Sequence, residues 1–300
     1  EQQTDQKQSD IVLVKKSVIW SKIKNFWRMT MQIQCGGTCR VFWTWKWTRS
    51  RLYCALQGMT NSYRPQRGQQ RQIGTEVSVM EVTKYGEGFY ILDDGRVREF
   101  LITGSNEALL IDTGFGDSGT AEEVRRLTDL PLKAILTHGD IDHAGGLSGF
   151  GECWIHPKDA HMIPRNISVH DLHEGEHITA GVYDFEVIHI PGHTYGSIAL
   201  LDRKRKLLLP GDTVQKDGPI FMFGENRNLD LYIESLGKLL DLVSGIEVIL
   251  PSHHGCPISP DHISYCLEDA VELKKGNLEG KDHPSLPCKS FRGKWTEFYF

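Results

Sequence analysis

The sequence predicts an α/β protein of four layers, helix–sheet–sheet–helix (αββα), behind a basic, tryptophan-rich N-terminal extension. Three observations lead there. Short apolar strands separated by Gly, Asp and Asn turns open the region after residue 76, and strands then alternate with helical stretches to about residue 275. The charge changes sign near residue 75: residues 1–75 hold 13 Lys+Arg against 3 Asp+Glu, and the rest of the 300-residue chain holds 21 against 36. Five of the seven tryptophans (Trp20, Trp27, Trp43, Trp45, Trp47) also lie before that point. The domain boundary is therefore placed at 75/76, giving an extension over 1–75 and a main domain over 76–300. A hydrophobic content of 39% with no apolar run approaching the roughly 18 residues of a membrane span argues against a transmembrane segment.

Within the extension, the polar opening EQQTDQKQSD predicts disorder. Ile11, Val14, Val18, Ile23 and Trp27 fall at helical spacing and predict a basic amphipathic helix. Arg40–Arg51 alternates aromatic and polar residues and predicts a strand, and 61–72 reads as a linker. Basic and aromatic residues together would suit a nucleic acid or an anionic membrane. Without a recognisable binding module, packing on the main domain or on a second copy in a homo-oligomer is favoured over nucleic acid. Ile11–Val14 is cut by Lys15 and Lys16 before a signal-peptide core forms, so a cytoplasmic location is expected. Seven cysteines leave at least one thiol unpaired. Cys35, Cys39 and Cys54 lack a fourth ligand for structural zinc, since the first histidine is His138.

The main domain predicts strands at Val77–Val82, Gly88–Leu92, Glu99–Thr103 and Ala108–Ile111, then a helix at Thr120–Leu130 with Glu122 and Glu123 near its positive end. Further strands are expected at Leu132–Leu136, Glu152–Ile155, Tyr183–Ile190, Ser197–Leu201, Lys206–Leu209 and Glu247–Leu250. Helices are expected at Leu229–Leu242 and at Pro260–Lys275, the latter capped by Ser259. His170, His173 and His177, among Asp171, Glu174 and Glu176, read as a solvated turn.

Four motifs follow buried strands. Thr137-His138-Gly139-Asp140-Ile141-Asp142-His143-Ala144-Gly145-Gly146 holds four potential metal ligands within six residues, with glycines that permit the turn. Pro191-Gly192-His193-Thr194, Gly211-Asp212 and Pro251-Ser252-His253-His254-Gly255 complete the set. Side chains that all follow strands of one sandwich can converge on one edge. Each motif alone is weak, and the ordered set is strong.

The set resembles the metallo-β-lactamase superfamily, whose signature is His-x-His-x-Asp-His, then a His, a bridging Asp and a last His. The resemblance spans roughly residues 77–277 and includes Leu-Ile-Asp-Thr-Gly at 110–114, where Asp112 would support the metal loop. It implies one metal on His138, Asp140 and His193, a second on Asp142, His143 and His253, and Asp212 between them. His254 stands as the alternative last ligand or as its neighbour. Asp140 departs from the usual histidine. A carboxylate is harder than imidazole, so zinc is the family expectation while iron or manganese gains ground. With three ligand carboxylates the site should also carry about one positive charge fewer than usual, which predicts weaker attraction for anions. Flavodiiron proteins, a similar family, carry a carboxylate at this position and bind two irons.

The resemblance implies hydrolysis by a hydroxide held between two metals, with Asp142 orienting it and handling its proton. The motif contexts are most similar to the small-molecule branch of thioesterases resembling glyoxalase II, lactonases and β-lactam hydrolases. An ester, thioester or lactone is the expected small-molecule substrate, with β-lactam hydrolysis next. An iron-dependent oxidoreductase and an RNA phosphodiesterase remain as alternatives, the latter opposed by the acidic main domain. Tyr195, Phe221, Met222 and Phe223 are candidate pocket walls.

Overall fold

The computed structural model describes residues 16–23, 26–35, 37–48, 51–56 and 80–300. The chain divides into two units, Glu1–Thr75 and Glu76–Phe300. In the first, strands β1 (Lys16–Ile23), β2 (Phe26–Cys35), β3 (Gly37–Thr48) and β4 (Arg51–Leu56) form an antiparallel sheet in chain order. The helix expected over Ile11–Trp27 is thus replaced by strand pairing, with Ile23 opposite Phe26 and Lys22 opposite Trp27. Val18, Ile19, Trp20, Ile23, Phe26 and Trp27 are β-branched or aromatic, and that preference outweighs their helical spacing. The strand expected at Arg40–Arg51 falls largely within β3. The polar opening, the linker at 61–72 and the side chains of Cys35, Cys39 and Cys54 lie outside the described residues.

The second unit carries two mixed sheets. One consists of β5 (Glu81–Gly86), β6 (Phe89–Asp93), β7 (Arg98–Thr103), β8 (Ala108–Ile111), β9 (Leu132–Ile135), β10 (Glu152–Ile155) and β11 (Ser168–Asp171), each beside the next in chain order. Its first four strands are antiparallel and the rest run parallel. The other contains β12 (His177–Ala180), β13 (Tyr183–His189), β14 (Ile198–Asp202) and β15 (Leu207–Leu209), which are antiparallel, and β17 (Val248–Ile249), which is parallel to β15. A small third sheet joins β16 (Pro219–Phe221) to β18 (Gly280–Asp282), β19 (Lys289–Arg292) and β20 (Glu297–Tyr299).

Strand periodicity sorts the core into layers. Phe100 and Ile102 of β7, with Leu109 and Ile111 of β8, meet Phe185, Val187, Ile198 and Leu200 of the facing sheet. The alternate residues Leu101 and Leu110 turn outward and pack with Val124 of α1 (Thr120–Leu127). On the far side, Ala199 and Leu201 of β14 meet Leu236 and Leu239 of α3 (Leu229–Asp241) and Ile263 and Ala270 of α4 (Asp261–Lys274). The short helix α2 (Ile141–Ala144) lies in the metal motif. The expected four-layer order is the observed one. Among the described residues, no helix is long and apolar enough to cross a membrane.

Several local expectations are corrected. The turn assigned to His170–His177 holds parts of two strands, β11 and β12, where His170 and His177 pair with Glu152 and Asp184. The first residue of α4 follows Pro260, and Ser259 makes no capping bond to a backbone N–H: its hydroxyl reaches the Asp261 side chain. The C-terminal sheet was not foreseen. It is anchored by the buried Asp269 of α4, which accepts from the backbone N–H groups of Lys294, Trp295 and Thr296.

Gly192 sets the spacing between α3 and the loop carrying His193. Its φ is +142°, and a Cβ there would strike the backbone of Tyr232 on α3. Gly192→Ala should therefore cost roughly 2–4 kcal/mol through overpacking and left-handed strain. A lowered urea midpoint at unchanged m-value is the expected readout.

Candidate metal centre

Each strand that carries a motif ends at the same edge of the sandwich. Parallel β8 and β9 end side by side, placing Asp112 beside Thr137. The Asp112 carboxylate accepts from the Thr137 N–H (2.8 Å), the Thr137 hydroxyl (2.8 Å) and His143 Nδ1 (2.8 Å). The His143 carbonyl in turn accepts from the Thr113 N–H and hydroxyl. The loop 138–142 is thereby closed at both ends, and the side chains of His138, Asp140 and Asp142 are directed into one small space.

Two groups of metal-capable side chains result, His138 with Asp140 and His193, and Asp142 with His143, Asp212 and His253. In the first, Asp140 Oδ2 lies 3.4 Å from His138 Nε2 and 3.3 Å from His193 Nε2. In the second, Asp142 Oδ2 lies 3.1 Å from His253 Nε2 and 3.6 Å from His143 Nε2. Asp212 spans both: Oδ1 is 3.3 Å from His143 Nε2, while Oδ2 is 3.3 Å from His253 Nε2 and 3.6 Å from His193 Nε2. His254 joins neither group. Its φ is +57° and its ring lies over Gly218.

The donor set fits divalent metal. Two atoms each about 2.1 Å from one tetrahedral ion are about 3.4 Å apart, close to the separations observed. His138 Nε2, His143 Nε2, both ring nitrogens of His193 and Asp212 Oδ1 are buried without a hydrogen-bond partner, a costly arrangement that a cation would relieve. The opposite ring nitrogens of three of the four histidines are engaged, His138 Nδ1 with the Thr137 hydroxyl (3.0 Å), His143 Nδ1 with Asp112 and His253 Nδ1 with the Arg96 carbonyl (2.7 Å), which directs Nε2 inward.

The electrostatics agree. Burial pulls the His143 imidazole down, but Asp212, Asp142 and Asp112 hold it well above its ordinary range. Burial likewise opposes His253, yet Asp212 and Asp142 raise it to about 10. Asp212 is held well below the carboxylate range against burial by His253 and His143, and Asp140 by Arg227, His138 and His193. His193 is lowered, by burial first and then by Arg227.

Arg227 and Asp159 are the two residues the sequence did not single out. Arg227 precedes Asn228, whose side chain caps α3 and whose N–H donates to the Gly192 carbonyl (2.9 Å). Its Nη2 donates to Asp140 Oδ2. In the sequence it looks like any loop arginine, and the only hint was the unbalanced charge of Asp140. With Arg227 in place, the expectation of a centre one charge lower than usual does not hold. Asp159 is fully buried and accepts from the Gly139 N–H (3.1 Å), the Thr194 hydroxyl (2.6 Å) and the Gly196 N–H (2.7 Å). It thus ties the loops of His138 and His193 together. Of the candidate pocket walls, Met222 is a core residue at 3% exposure. Tyr195 and Phe221 are exposed, and Phe221 packs on Phe223 and Tyr299.

Asp159→Asn replaces one acceptor oxygen with a donor that opposes these N–H and O–H groups. It should weaken metal binding by about 10- to 100-fold, the usual effect of losing a partner beyond the ligands. Equilibrium dialysis against buffered zinc would measure this.

Comparison with known proteins follows the same lines. The sequence profile of the metallo-beta-lactamase superfamily matches residues 97–253. Acyl-coenzyme A thioesterase MBLAC2 of Gallus gallus is 29% identical over 201 residues, covering 53% of this chain and 72% of that protein. A hydroxyacylglutathione hydrolase of Bdellovibrio bacteriovorus is 35% identical over 130 residues, 41% of this chain and 50% of that protein. Among solved structures, a metallo-beta-lactamase from Pontibacter korlensis matches with a TM-score of 0.56 at 20% identity, over 64% of this chain and 99% of that one, a likeness of fold. The profile covers more than half of the chain and all seven converging side chains, so this chain belongs to the metallo-beta-lactamase superfamily.

Proposed function

We propose that this chain is a dinuclear metal-dependent hydrolase of small thioesters, of the acyl-coenzyme A or acyl-glutathione kind. The observation that carries the reading is the convergence of four imidazoles and three carboxylates, with the inward nitrogens of His138, His143 and His193 unpartnered. His138, Asp140 and His193 would hold one ion, Asp142, His143 and His253 the other, and Asp212 both. Divalent ions there supply Lewis acidity and make water a competent nucleophile at neutral pH.

The chain's own residues support water as the nucleophile. Among the described cysteines, Cys153 and Cys266 are buried, and burial pushes their thiols up to about 11 and about 12. Cys256, near the last motif, is also raised by burial. None lies in either group. Asp142 has the most exposed side chain of the seven, at 22%, and its carboxylate is held below its usual range despite burial by His143 and His253. It stays ionised, can accept a proton from the attacking water and can orient that water toward substrate.

Thioesters suit this donor set because a thiolate leaves readily. Its conjugate thiol has a pKa near 8.5, so the site needs no proton donor of the kind an amine leaving group requires. The two named relatives support the same class, since one is an acyl-coenzyme A thioesterase and the other a hydroxyacylglutathione hydrolase.

The test is elemental mass spectrometry of chain purified without chelator, followed by thiol-release assays on acyl-coenzyme A and S-lactoylglutathione. About two zinc ions per chain and thiol release abolished by chelation are expected. Asp142→Asn should lower kcat on the order of 10²–10⁴-fold. Turnover of a β-lactam or lactone with no thioester release would reassign the substrate. Bound iron with oxygen consumption would reassign the chemistry, and a chain that takes up no metal after reconstitution would overturn the reading.

A further inference from the structure

The two halves of the centre are not electrostatically equivalent. The guanidinium of Arg227 is bound to Asp140 Oδ2, the same oxygen that faces His138 Nε2 and His193 Nε2. Its side chain is only 12% exposed, and its Nε and Nη1 are buried without partners. Little water screens it from whatever occupies the centre. In the other half, the carboxylates of Asp142 and Asp212 meet only histidines, and among the described residues no Lys or Arg pairs with either.

We propose that Arg227 is the residue that makes the centre load in two unequal steps. The Asp142–His143–Asp212–His253 half fills tightly and first, and the His138–Asp140–His193 half fills weakly and second. This rests on the metal-centre reading above. An incoming cation in the weaker half must share or displace Arg227 on Asp140 Oδ2 and is repelled by it throughout. Asp140 and Arg227 together also amount to a neutral ligand unit. The pair restores the net charge that an imidazole at position 140 would give, while keeping a hard oxygen donor for the metal.

The same placement explains how the arginine is held. Asn228, the next residue, is fixed by its cap on α3 and by its N–H bond to the Gly192 carbonyl. The segment carrying Arg227 is thus joined to the loop that carries His193.

The test is titration of the chelator-stripped full chain with zinc against a chromophoric chelator, with stoichiometry from native mass spectrometry and cobalt absorption as a second readout. Wild type should show two steps separated by at least about tenfold in Kd, the scale on which neighbours of metal ligands act. Arg227→Met should tighten the weak step by at least about tenfold and leave the tight step within about twofold. Arg227→Lys, which keeps the charge, should preserve the gap. Far-UV circular dichroism reports folding, and Arg227→Gln replaces the Met variant if that one is unfolded. Two equal steps in wild type, or two steps unmoved or moved together in Arg227→Met, would overturn the proposal while leaving the metal centre standing. A chain that binds no zinc in any form would overturn both.

Discussion

The centre depends on one buried carboxylate that binds no metal. Asp112 sits at the end of β8 with φ at +62°, a conformation an L-residue adopts only when its surroundings demand it. Its burial is complete, so its charge must be matched by donors, and the three available are the Thr137 N–H, the Thr137 hydroxyl and His143 Nδ1. Those donors bracket the first metal motif. Satisfying Asp112 therefore closes the loop and fixes the His143 ring, whose Nε2 faces Asp212. The parallel pairing of Ile111 with Ile135 makes this possible, because it brings the ends of β8 and β9 level.

Charge is the second constraint. Three carboxylates and four imidazoles meet in a space with little water, and the carboxylates hold His143 and His253 above their ordinary range. In that field His143 and His253 attract protons, which a divalent cation would displace on binding. Arg227 distributes the negative charge unevenly. It binds the one carboxylate that departs from the family pattern and leaves the other two facing histidines. A substitution that looks like a loss of charge in the motif is thus compensated 87 residues later in the chain.

What was legible in the sequence follows from the physics of each signal. The strands of the sandwich were readable because Leu101 and Phe100, or Ala199 and Leu200, alternate between two apolar layers. The converging histidines and aspartates were readable because each follows such a strand. Asp159 and Arg227 were not, since their roles exist only once loops distant in the chain are brought together. Asp159 in a short helical turn reads like any polar surface residue, yet it is fully buried. The C-terminal sheet was missed because strands of three or four residues carry too little periodicity. The N-terminal helix failed for the opposite reason: the periodicity was present, and β-branched and aromatic content overrode it.

Because the seven candidate ligands come from loops of both sheets, occupancy of the proposed centre would be linked to stability of the sandwich. His138, Asp140, Asp142 and His143 follow β9 of one sheet, while His193, Asp212 and His253 follow β13, β15 and β17 of the other. A cation held between them would tie the sheets together at one edge and stabilise the folded chain by an amount that grows with its concentration over Kd. Without it, several buried nitrogens and an aspartate oxygen have no partner, a penalty of about 1–3 kcal/mol for each such group. Gly192 and Asp159 act at that same joint, one by letting α3 approach the His193 loop and the other by binding that loop to His138. Residues outside the two groups therefore set both how firmly the sheets are joined and how closely the seven donors approach one another.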